Sequence, residues 1–257
     1  MSSTALAGRR VVVTRPAGQA AHLAALIRAA GGEPLLFPAL EIFDAADLRP
    51  VLALIERLEA FDLAIFISAN AVNKALALVR ARRAWPPVVR VATVGRGSER
   101  ELARHGFAAV IAPAERFDSE GLLDLPELKA VAGKRVAIFR GEGGRELLGE
   151  TLAARGAAVE YAECYRRGRP NADPTQLLAL CARGELDAFT VTSSEGLANL
   201  HDMLGEAGLQ CFRNTPLFAP HERIAAAARV LGVHTVVLTG PGDEGLVAGM
   251  AAFFVKV

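Results

Sequence analysis

Two patterns of apolar residues alternate along this chain. Short, β-branched runs such as Val11–Thr14 and Leu63–Ile67 are typical of strands buried in a parallel sheet. Longer stretches between them carry apolar side chains at helical spacing, as at Leu23, Leu26 and Ile27. Because strands that alternate with helices form parallel sheets with right-handed crossovers, we expect an α/β fold of flavodoxin-like or Rossmann-like layers.

The predicted elements follow one order in both halves of the chain. Strands are expected at 11–14, 63–67, 89–94 and 109–112, then near 135–139, 158–165, 187–192, 216–219 and 234–239. In the first half, helices are expected at 19–30, 48–60, 70–83 and 98–106, and a looser stretch runs to 128. Asn70 is predicted to cap the third of these helices, since its side chain suits that position.

The first part of the chain is repeated in the second half. The shift that carries Gly8 onto Gly133 also aligns further identical residues. These pairs are Arg10 with Arg135, Arg15 with Arg140, Gly18 with Gly143, Leu23 with Leu148, and Gly31 with Gly156. We interpret the chain as two copies of one βα unit, because any two βα segments share apolar strands but not arginines at one offset.

A length of 257 residues favours two domains. Segments 34–42 and 157–167 are predicted to be extended for longer than the mean strand of about 5–6 residues. They suit a two-stranded linker. One domain would then comprise 1–37 and 168–257, and the other 38–167, with a hinge between them.

Composition limits the classes of partner. The formal charge of +1 gives no reason to expect a nucleic-acid or membrane partner. The chain shows no apolar leader and no run approaching the roughly 18–20 apolar residues of a membrane span. Three separated cysteines, Cys164, Cys181 and Cys211, indicate neither a disulfide framework nor a thiolate metal site. We expect a soluble, cytoplasmic protein, and nothing demands more than a monomer.

The carboxyl ends of the predicted strands carry the candidate binding residues. Open parallel sheets bind ligands at these ends, against helix N-termini, where small residues expose backbone N–H groups and arginine binds anions. The candidates are Arg15, Ser68, Asn70, Gly95, Arg96, Ser98, Arg140, Gly141, Gly143, Ser193, Ser194 and His221. Each one taken alone also suits a helix cap or a turn. Together they favour an anion-binding cleft shared by both domains.

No cofactor motif is complete. Gly95-Arg96-Gly97 is followed by Arg100 where a dinucleotide fingerprint needs glycine, and no phosphate-binding P-loop occurs. The histidines are dispersed without metal-ligand spacing, and no GxSxG elbow is present. We therefore expect chemistry without a cofactor or a metal.

Tyr165 is the candidate catalytic residue. It is one of only two tyrosines and lies in Cys164-Tyr165-Arg166-Arg167, where the chain is expected to cross between domains. A phenol at that place can donate a hydrogen bond or act as a general acid. The alternative, an amphipathic residue that packs over the linker, stays open.

Several of these stretches together resemble one family. They are GEGGRELL (141–148), LAARGA (152–157), YRR (165–167), IFISANAV (65–72) and VTSSEGL (191–197). Nearly end to end, the chain is similar to the uroporphyrinogen-III synthases. The resemblance implies two α/β domains, a two-stranded connection, an active-site cleft and no cofactor.

The resemblance also implies a reaction. The substrate would be hydroxymethylbilane, a linear tetrapyrrole polycarboxylate, which closes to uroporphyrinogen III with ring D inverted, through a spiro intermediate and with loss of water. Tyr165 matches the family's linker tyrosine and would assist loss of the hydroxyl. Ser98 stands where other members have threonine, Ser193 matches a strand-end serine, and His221 lies where some relatives have paired threonines. A transient hand-over from hydroxymethylbilane synthase would fit this role.

Two other functions fit the sequence pattern. A non-catalytic two-domain binding protein that closes over an anionic ligand would show the same order of elements. A nucleotide-dependent Rossmann enzyme would also alternate strands and helices, but the broken glycine motifs disfavour it.

Overall fold

The computed structural model describes residues 4–144 and 146–255, and it is an α/β fold with parallel sheets. The prediction of that class is confirmed. The strands are β1 Arg10–Val13, β2 Glu33–Leu36, β3 Glu41–Asp44, β4 Leu63–Phe66, β5 Arg90–Thr93, β6 Val110–Ile111, β7 Arg135–Gly141, β8 Ala158–Gly168, β9 Ala188–Thr190, β10 Leu217–Ala219 and β11 Val236–Leu238. Arg145, part of the GEGGRELL stretch, lies outside the described residues.

Helices separate most of the strands. They are α1 Ala21–Ala29, α2 Arg49–Glu56, α3 Ala69–Arg80, α4 Arg96–Arg104, α5 Ser119–Leu123, α6 Pro126–Lys129, α7 Leu147–Ala154, α8 Thr175–Ala182, α9 Ser194–Asn214, α10 Glu222–Val230 and α11 Gly242–Phe254. Short 3₁₀ turns occur at Ala17–Gln19 and Leu58–Ala60.

The chain forms two compact units. The first contains the described residues up to Glu41 together with those from Gly168 onward, and the second is Ile42–Arg167. The sheet of the first unit has the order β11-β10-β9-β1-β2. Its strand β1 is parallel to both β2 and β9, so the first two strands join a sheet whose other strands come from the last third of the chain.

The sheet of the second unit has the order β3-β8-β7-β4-β5-β6. Strand β7 pairs in parallel with β4 and with β8, which matches the way β1 pairs with β9 and β2 in the first unit. Apart from β3, both sheets therefore have the same strand order. This common order supports the interpretation of the chain as two copies of one βα unit.

Each sheet has an apolar core on both of its faces. In the first unit, Val12 and Phe189 lie on one face, while Val11 and Phe218 lie on the other. In the second unit one face is built around Phe66 and Phe139, whose rings stack at 4.9 Å. Burial on both faces explains why the strands contain continuous apolar runs instead of alternating patterns.

Several elements differ from the sequence prediction. Segment 34–42 is not one strand, because Phe37 and Ala39 leave β2 while their N–H groups still bond to Val13 and Thr14. Pro38 lies in this break, and a proline cannot donate a ladder hydrogen bond. The second long segment is one strand, β8. The stretch predicted to be loose contains the two short helices α5 and α6.

Two predictions about helix starts were wrong. Ser68, not Asn70, is the N-cap of α3, and its Oγ accepts a hydrogen bond from Ala71 N at 3.0 Å. Helix α4 begins at Arg96 after Gly95, two residues before Ser98, the predicted start. Both errors arise because several residues in a row are acceptable caps, and composition alone does not choose among them.

The expectation about cysteines was also wrong, because the structure contains a disulfide between Cys181 and Cys211. The two residues lie 30 apart in sequence, on α8 and α9, which pack against each other. Only this helix packing brings their Cα atoms to 5.5 Å, and no local spacing motif announces it. Among the described helices, none has the length and apolar character needed to cross a bilayer.

Gly149, in α7, lies directly against the Tyr161 side chain. A Cβ atom at Gly149 would overlap the Tyr161 hydroxyl and lie 2.7 Å from Cζ of that ring. Alanine usually stabilises a helix relative to glycine by up to about 1 kcal/mol. We expect Gly149→Ala to destabilise instead, by about 1–3 kcal/mol, because the ring must move. Chemical denaturation measures this change.

Gly97→Ala is the matched control for that substitution. Gly97 is also helical, and nothing lies within 4 Å of the Cβ that it would gain. Its replacement should be neutral or stabilising. Equal effects of the two substitutions on the free energy of unfolding would contradict the packing argument.

Candidate functional site

The predicted site residues lie at the carboxyl ends of strands in both units. Arg15 follows β1, Ser193 and Ser194 follow β9, and His221 follows β10. In the second unit, Ser68 and Asn70 follow β4, Gly95, Arg96 and Ser98 follow β5, and Arg140, Gly141 and Gly143 lie at or after the end of β7. Tyr165 lies within the long strand β8.

Tyr165 and Ser68 are joined by a hydrogen bond. The two hydroxyl oxygens are 3.0 Å apart, although the residues are far apart in sequence. Tyr165 is only 3% exposed and belongs to an apolar core, so its ring position is fixed by packing. Ser68 is half-buried at the start of α3. The phenol oxygen is thus held beside the N-terminus of a helix.

Gly141 makes room for the Tyr165 ring. The β7–β8 register shifts between Arg140 and Gly141, which places Gly141 opposite Tyr165. A Cβ atom at Gly141 would lie 2.7 Å from two carbons of that ring. Any residue with a side chain would therefore push the ring away. A glycine within a strand marks such a close approach.

The serine is positioned to orient the phenol proton. A hydroxyl group has one donor and two acceptor positions. Ser68 Oγ uses one acceptor position for Ala71 N at 3.0 Å. Its own proton remains able to point at Tyr165 Oη, 3.0 Å away, which would leave the phenol proton directed elsewhere.

Arg140 is buried beneath two partly exposed glutamates, Glu146 and Glu163. Its side chain is 7% exposed, Nη2 donates to Glu146 Oε1 at 3.0 Å, and Nε lies 3.4 Å from Glu163 Oε1. Its guanidinium stacks over Tyr161 at 4.4 Å. Burial, and then a hydrogen bond to Glu146, raises the pKa of Tyr161 to about 12. The Arg140 guanidinium is therefore already paired within the protein. To bind a substrate carboxylate, as predicted from the sequence, it would have to leave Glu146 or Glu163.

Cys164, next to Tyr165, is not available as a nucleophile. It is 1% exposed, and its thiol donates to the carbonyl oxygen of Arg140 at 3.2 Å. Burial raises the pKa of this thiol to about 12, so it stays protonated at neutral pH. The residue contributes packing to the core beneath the site.

The end of β5 presents a different set of groups. Gly95 is the N-cap of α4 without a capping side chain, and Arg96 begins the helix in an exposed position. The Arg96 guanidinium lies 4.5 Å from the centre of the Phe117 ring. Ser98 is buried at 5% exposure, one turn into the helix. Backbone N–H groups and one arginine thus face a potential anion here.

In the first unit the serines have separate roles. Ser193 caps α9, where its Oγ accepts from Gly196 N at 2.9 Å. The neighbouring Ser194 Oγ is buried and has no hydrogen-bond partner among the described residues. His221 is exposed at the start of α10 and makes no side-chain capping bond.

Sequence reasoning missed Asp243, which forms an ion pair with Arg15, and His22, which contacts Asp243. Asp243 lies in the first turn of α11 and is 7% exposed. Its Oδ1 atom lies 2.9 Å from Arg15 Nη2 and forms an ion pair with it. Its other oxygen lies 2.9 Å from His22 Nδ1, while the His22 side chain is 62% exposed. The sequence contains a signal for this acidic position. Asp243 directly follows the turn segment Thr239-Gly240-Pro241-Gly242, and an acidic residue there suits the first turn of a helix.

The strand ends of each unit carry groups that can bind an anion. Within 4–144 and 146–255, no group of three or more His, Cys, Asp or Glu side chains is placed to hold a metal ion. The strand ends offer hydroxyls, backbone N–H groups, one phenol and arginines. Such groups suit a substrate with several carboxylates.

The fold defines an open, parallel-sheet α/β protein, a class that binds ligands at the carboxyl ends of its strands. Residues 21–248 match the family described as "Uroporphyrinogen-III synthase HemD". The chain belongs to the uroporphyrinogen-III synthase family. Synthases of Salmonella typhimurium and Escherichia coli are 34% and 32% identical to it, each over 91% of this chain and 96% of their own.

Solved structures agree on the fold. A uroporphyrinogen III synthase from Thermus thermophilus matches with a TM-score of 0.60 at 20% identity, covering 97% of this chain and all of its own. The enzyme from Helicobacter pylori matches with a TM-score of 0.58 at 15% identity, covering 96% of this chain and 99% of its own. The family resemblance stated from the sequence is confirmed.

The contacts of Arg140 allow a test of whether this residue stabilises the fold or binds substrate. We expect Arg140→Ala to destabilise the protein by about 1–3 kcal/mol, because it removes packing over Tyr161 and leaves Glu146 and Glu163 without their partner. Arg104→Ala is the control, since its ion pair with Glu101 is 74% exposed on the arginine side and should contribute less than about 1 kcal/mol. A large rise in KM for Arg140→Ala at unchanged stability would show that the arginine binds substrate instead.

Proposed function

We propose that this chain converts hydroxymethylbilane into uroporphyrinogen III, the cyclisation that serves tetrapyrrole biosynthesis. Membership of the uroporphyrinogen-III synthase family supports this reaction and disfavours the alternative of a non-catalytic binding protein. The observation that carries the mechanism is the hydrogen bond between Ser68 and Tyr165 at the strand ends of the second unit.

The first chemical step is loss of the substrate's hydroxyl group as water. In the arrangement we propose, the Ser68 hydroxyl donates to the phenol oxygen, and Tyr165 supplies its own proton to that leaving oxygen. Loss of water leaves an azafulvene cation. The packed position of Tyr165 against Gly141 keeps the donor in place while the flexible substrate moves.

The second task is to direct ring closure. Ring D is attacked through its already substituted α-carbon, which gives a spiro intermediate, and fragmentation with reclosure then delivers the macrocycle with ring D inverted. Unassisted closure gives the symmetrical type I isomer. The enzyme must therefore hold the acetate and propionate groups so that only the substituted carbon reaches the cation.

The carboxylates are bound by groups at the strand ends of both units. Arg96 and the open N-terminus of α4 offer one position, and Arg15 offers another beside Asp243. Ser193, Ser194 and His221 provide hydroxyl, backbone and imidazole donors after β9 and β10. Charge-assisted hydrogen bonds to several carboxylates fix a flexible polyanion better than one strong contact would.

Other features of this proposal stay predictions. They are the division into domains at 37/38 and 167/168, a two-stranded linker, an active-site cleft, the monomeric state, the cytoplasmic location and the hand-over from hydroxymethylbilane synthase. The absence of a cofactor is likewise an expectation, in keeping with a site built from donors and one phenol.

The direct test is the identity of the product isomer. Hydroxymethylbilane, made freshly by its own synthase, is mixed with the protein, and the oxidised porphyrins are separated by chromatography. We expect predominantly the type III isomer, and type I from a heat-denatured sample. Type I alone from a folded sample would contradict the proposal, since it is the product of closure in water.

Replacing Tyr165 tests the proton donor. We expect Tyr165→Phe to lower kcat by about 10²-fold, with an unchanged fold by circular dichroism, because only the phenol hydroxyl is lost. Tyr161→Phe, in the same strand, removes a phenol that bonds to Glu146 instead and should keep kcat near that of the original chain. Equal kcat values for all three proteins would remove Tyr165 from the mechanism.

A further inference from the structure

A disulfide lies on the wall of a cavity in the first unit. Cys181, at the end of α8, is bonded to Cys211, near the end of α9. Both residues line a cavity of about 630 Å³, together with Arg9, Leu186 and Pro216. These last three precede β1, β9 and β10, so the cavity opens at the amino ends of the strands. It is therefore remote from the candidate substrate site at the carboxyl ends of the same sheet.

The two sulfur atoms differ in environment from the third cysteine. Cys181 and Cys211 are half-exposed, whereas Cys164 is 1% exposed, with a thiol whose pKa is raised by burial to about 12. Thiol–disulfide exchange needs access to a sulfur atom along the attack direction. Cys181 and Cys211 line the cavity, whereas Cys164 does not.

The bond joins α8 to the second half of α9, which also packs on the core of the first unit through Phe212. At Gly205, φ is 54° and ψ is −166°, so the helix is broken into two halves. Beyond the break, Gly208 and Phe212 are the buried residues of the helix, and Glu206, Ala207 and Gln210 are exposed. The break at Gly205 separates the half that holds Cys211 from the half that begins at Ser193.

We propose that Cys181 and Cys211 form a thiol–disulfide exchange site that takes a dithiol reductant through this cavity. The reductant's thiolate attacks one protein sulfur, which forms a mixed disulfide and releases the other cysteine as a thiolate that takes up a proton. The reductant's second thiolate then attacks the reductant's own sulfur in the mixed disulfide, which releases the remaining cysteine as a thiolate that takes up a proton. The reductant leaves as a disulfide, and the protein gains two electrons and two protons.

Reduction removes the covalent link between α8 and the second half of α9. A cross-link between residues 30 apart restricts the unfolded chain substantially, so its loss should lower Tm by about 10 °C. Amide hydrogen exchange should rise in 206–214 and stay unchanged in 194–204, because the break at Gly205 separates the two segments.

The experiment uses dithiothreitol as the reductant and the whole folded chain. Protein equilibrated in oxidised or reduced dithiothreitol is alkylated with N-ethylmaleimide, and the intact mass and labelled peptides are measured. We expect no label in the oxidised sample and two labels, at Cys181 and Cys211, in the reduced sample, with a near-ultraviolet spectrum that shows retained tertiary structure. Label on both cysteines in the oxidised sample, or none in the folded reduced sample, would overturn the proposal.

Substitutions separate the exchange site from a general effect of the reductant. The Cys181→Ser/Cys211→Ser protein should have the lower Tm in both redox states, and Cys164→Ala should keep the dithiothreitol-dependent Tm shift. If the double variant showed the same shift as the original chain, the bond would not be its cause. These readouts do not depend on enzyme activity, so the redox site and the cyclisation can fail independently.

Discussion

The position of Tyr165 depends on one close contact between a ring and a strand. Gly141 has no side chain, and the register shift of β7 against β8 lets the Tyr165 ring lie where a Cβ would otherwise be. The ring is therefore buried while its hydroxyl reaches Ser68 at the start of α3. Burial of this kind fixes the position of the phenol, as the proposed role of Tyr165 in proton donation to a flexible substrate requires.

The placement of the other candidate binding groups is a consequence of the parallel sheets. All strands of one sheet direct their carboxyl ends to one edge, and the helices that follow begin there with free N–H groups. This explains why serine and glycine recur after β4, β5 and β9, whether or not each one binds a ligand. Partly buried ion pairs lie at the strand ends within each unit, Asp243 beside Arg15 in the first and Glu146 beside Arg140 in the second. Here the fold supplies polar groups at the strand ends of each unit.

The sequence predicted those features that depend on local pattern. Strand and helix order, parallel sheets, the long strand β8 and the set of strand-end residues could all be inferred from apolar periodicity and glycine positions. It could not choose Ser68 over Asn70 as the cap, because both residues suit that position. Nor could it show that Arg140 is enclosed by Glu163 and Tyr161, or that Cys181 meets Cys211. Those contacts arise from tertiary packing, which no spacing along the chain encodes.

The measurement that tests the central claim most directly is a double-mutant cycle on Ser68 and Tyr165. Ser68→Gly removes the hydroxyl at a small cost to the cap, and Asp118→Ala measures the effect of cap loss at another helix. Rates of type III product formation are compared among the original chain, Ser68→Gly, Tyr165→Phe and the double variant. If Ser68 acts by directing the phenol proton, the double variant is no slower than Tyr165→Phe. Losses that simply multiply would show that the two hydroxyls act separately and would contradict the account.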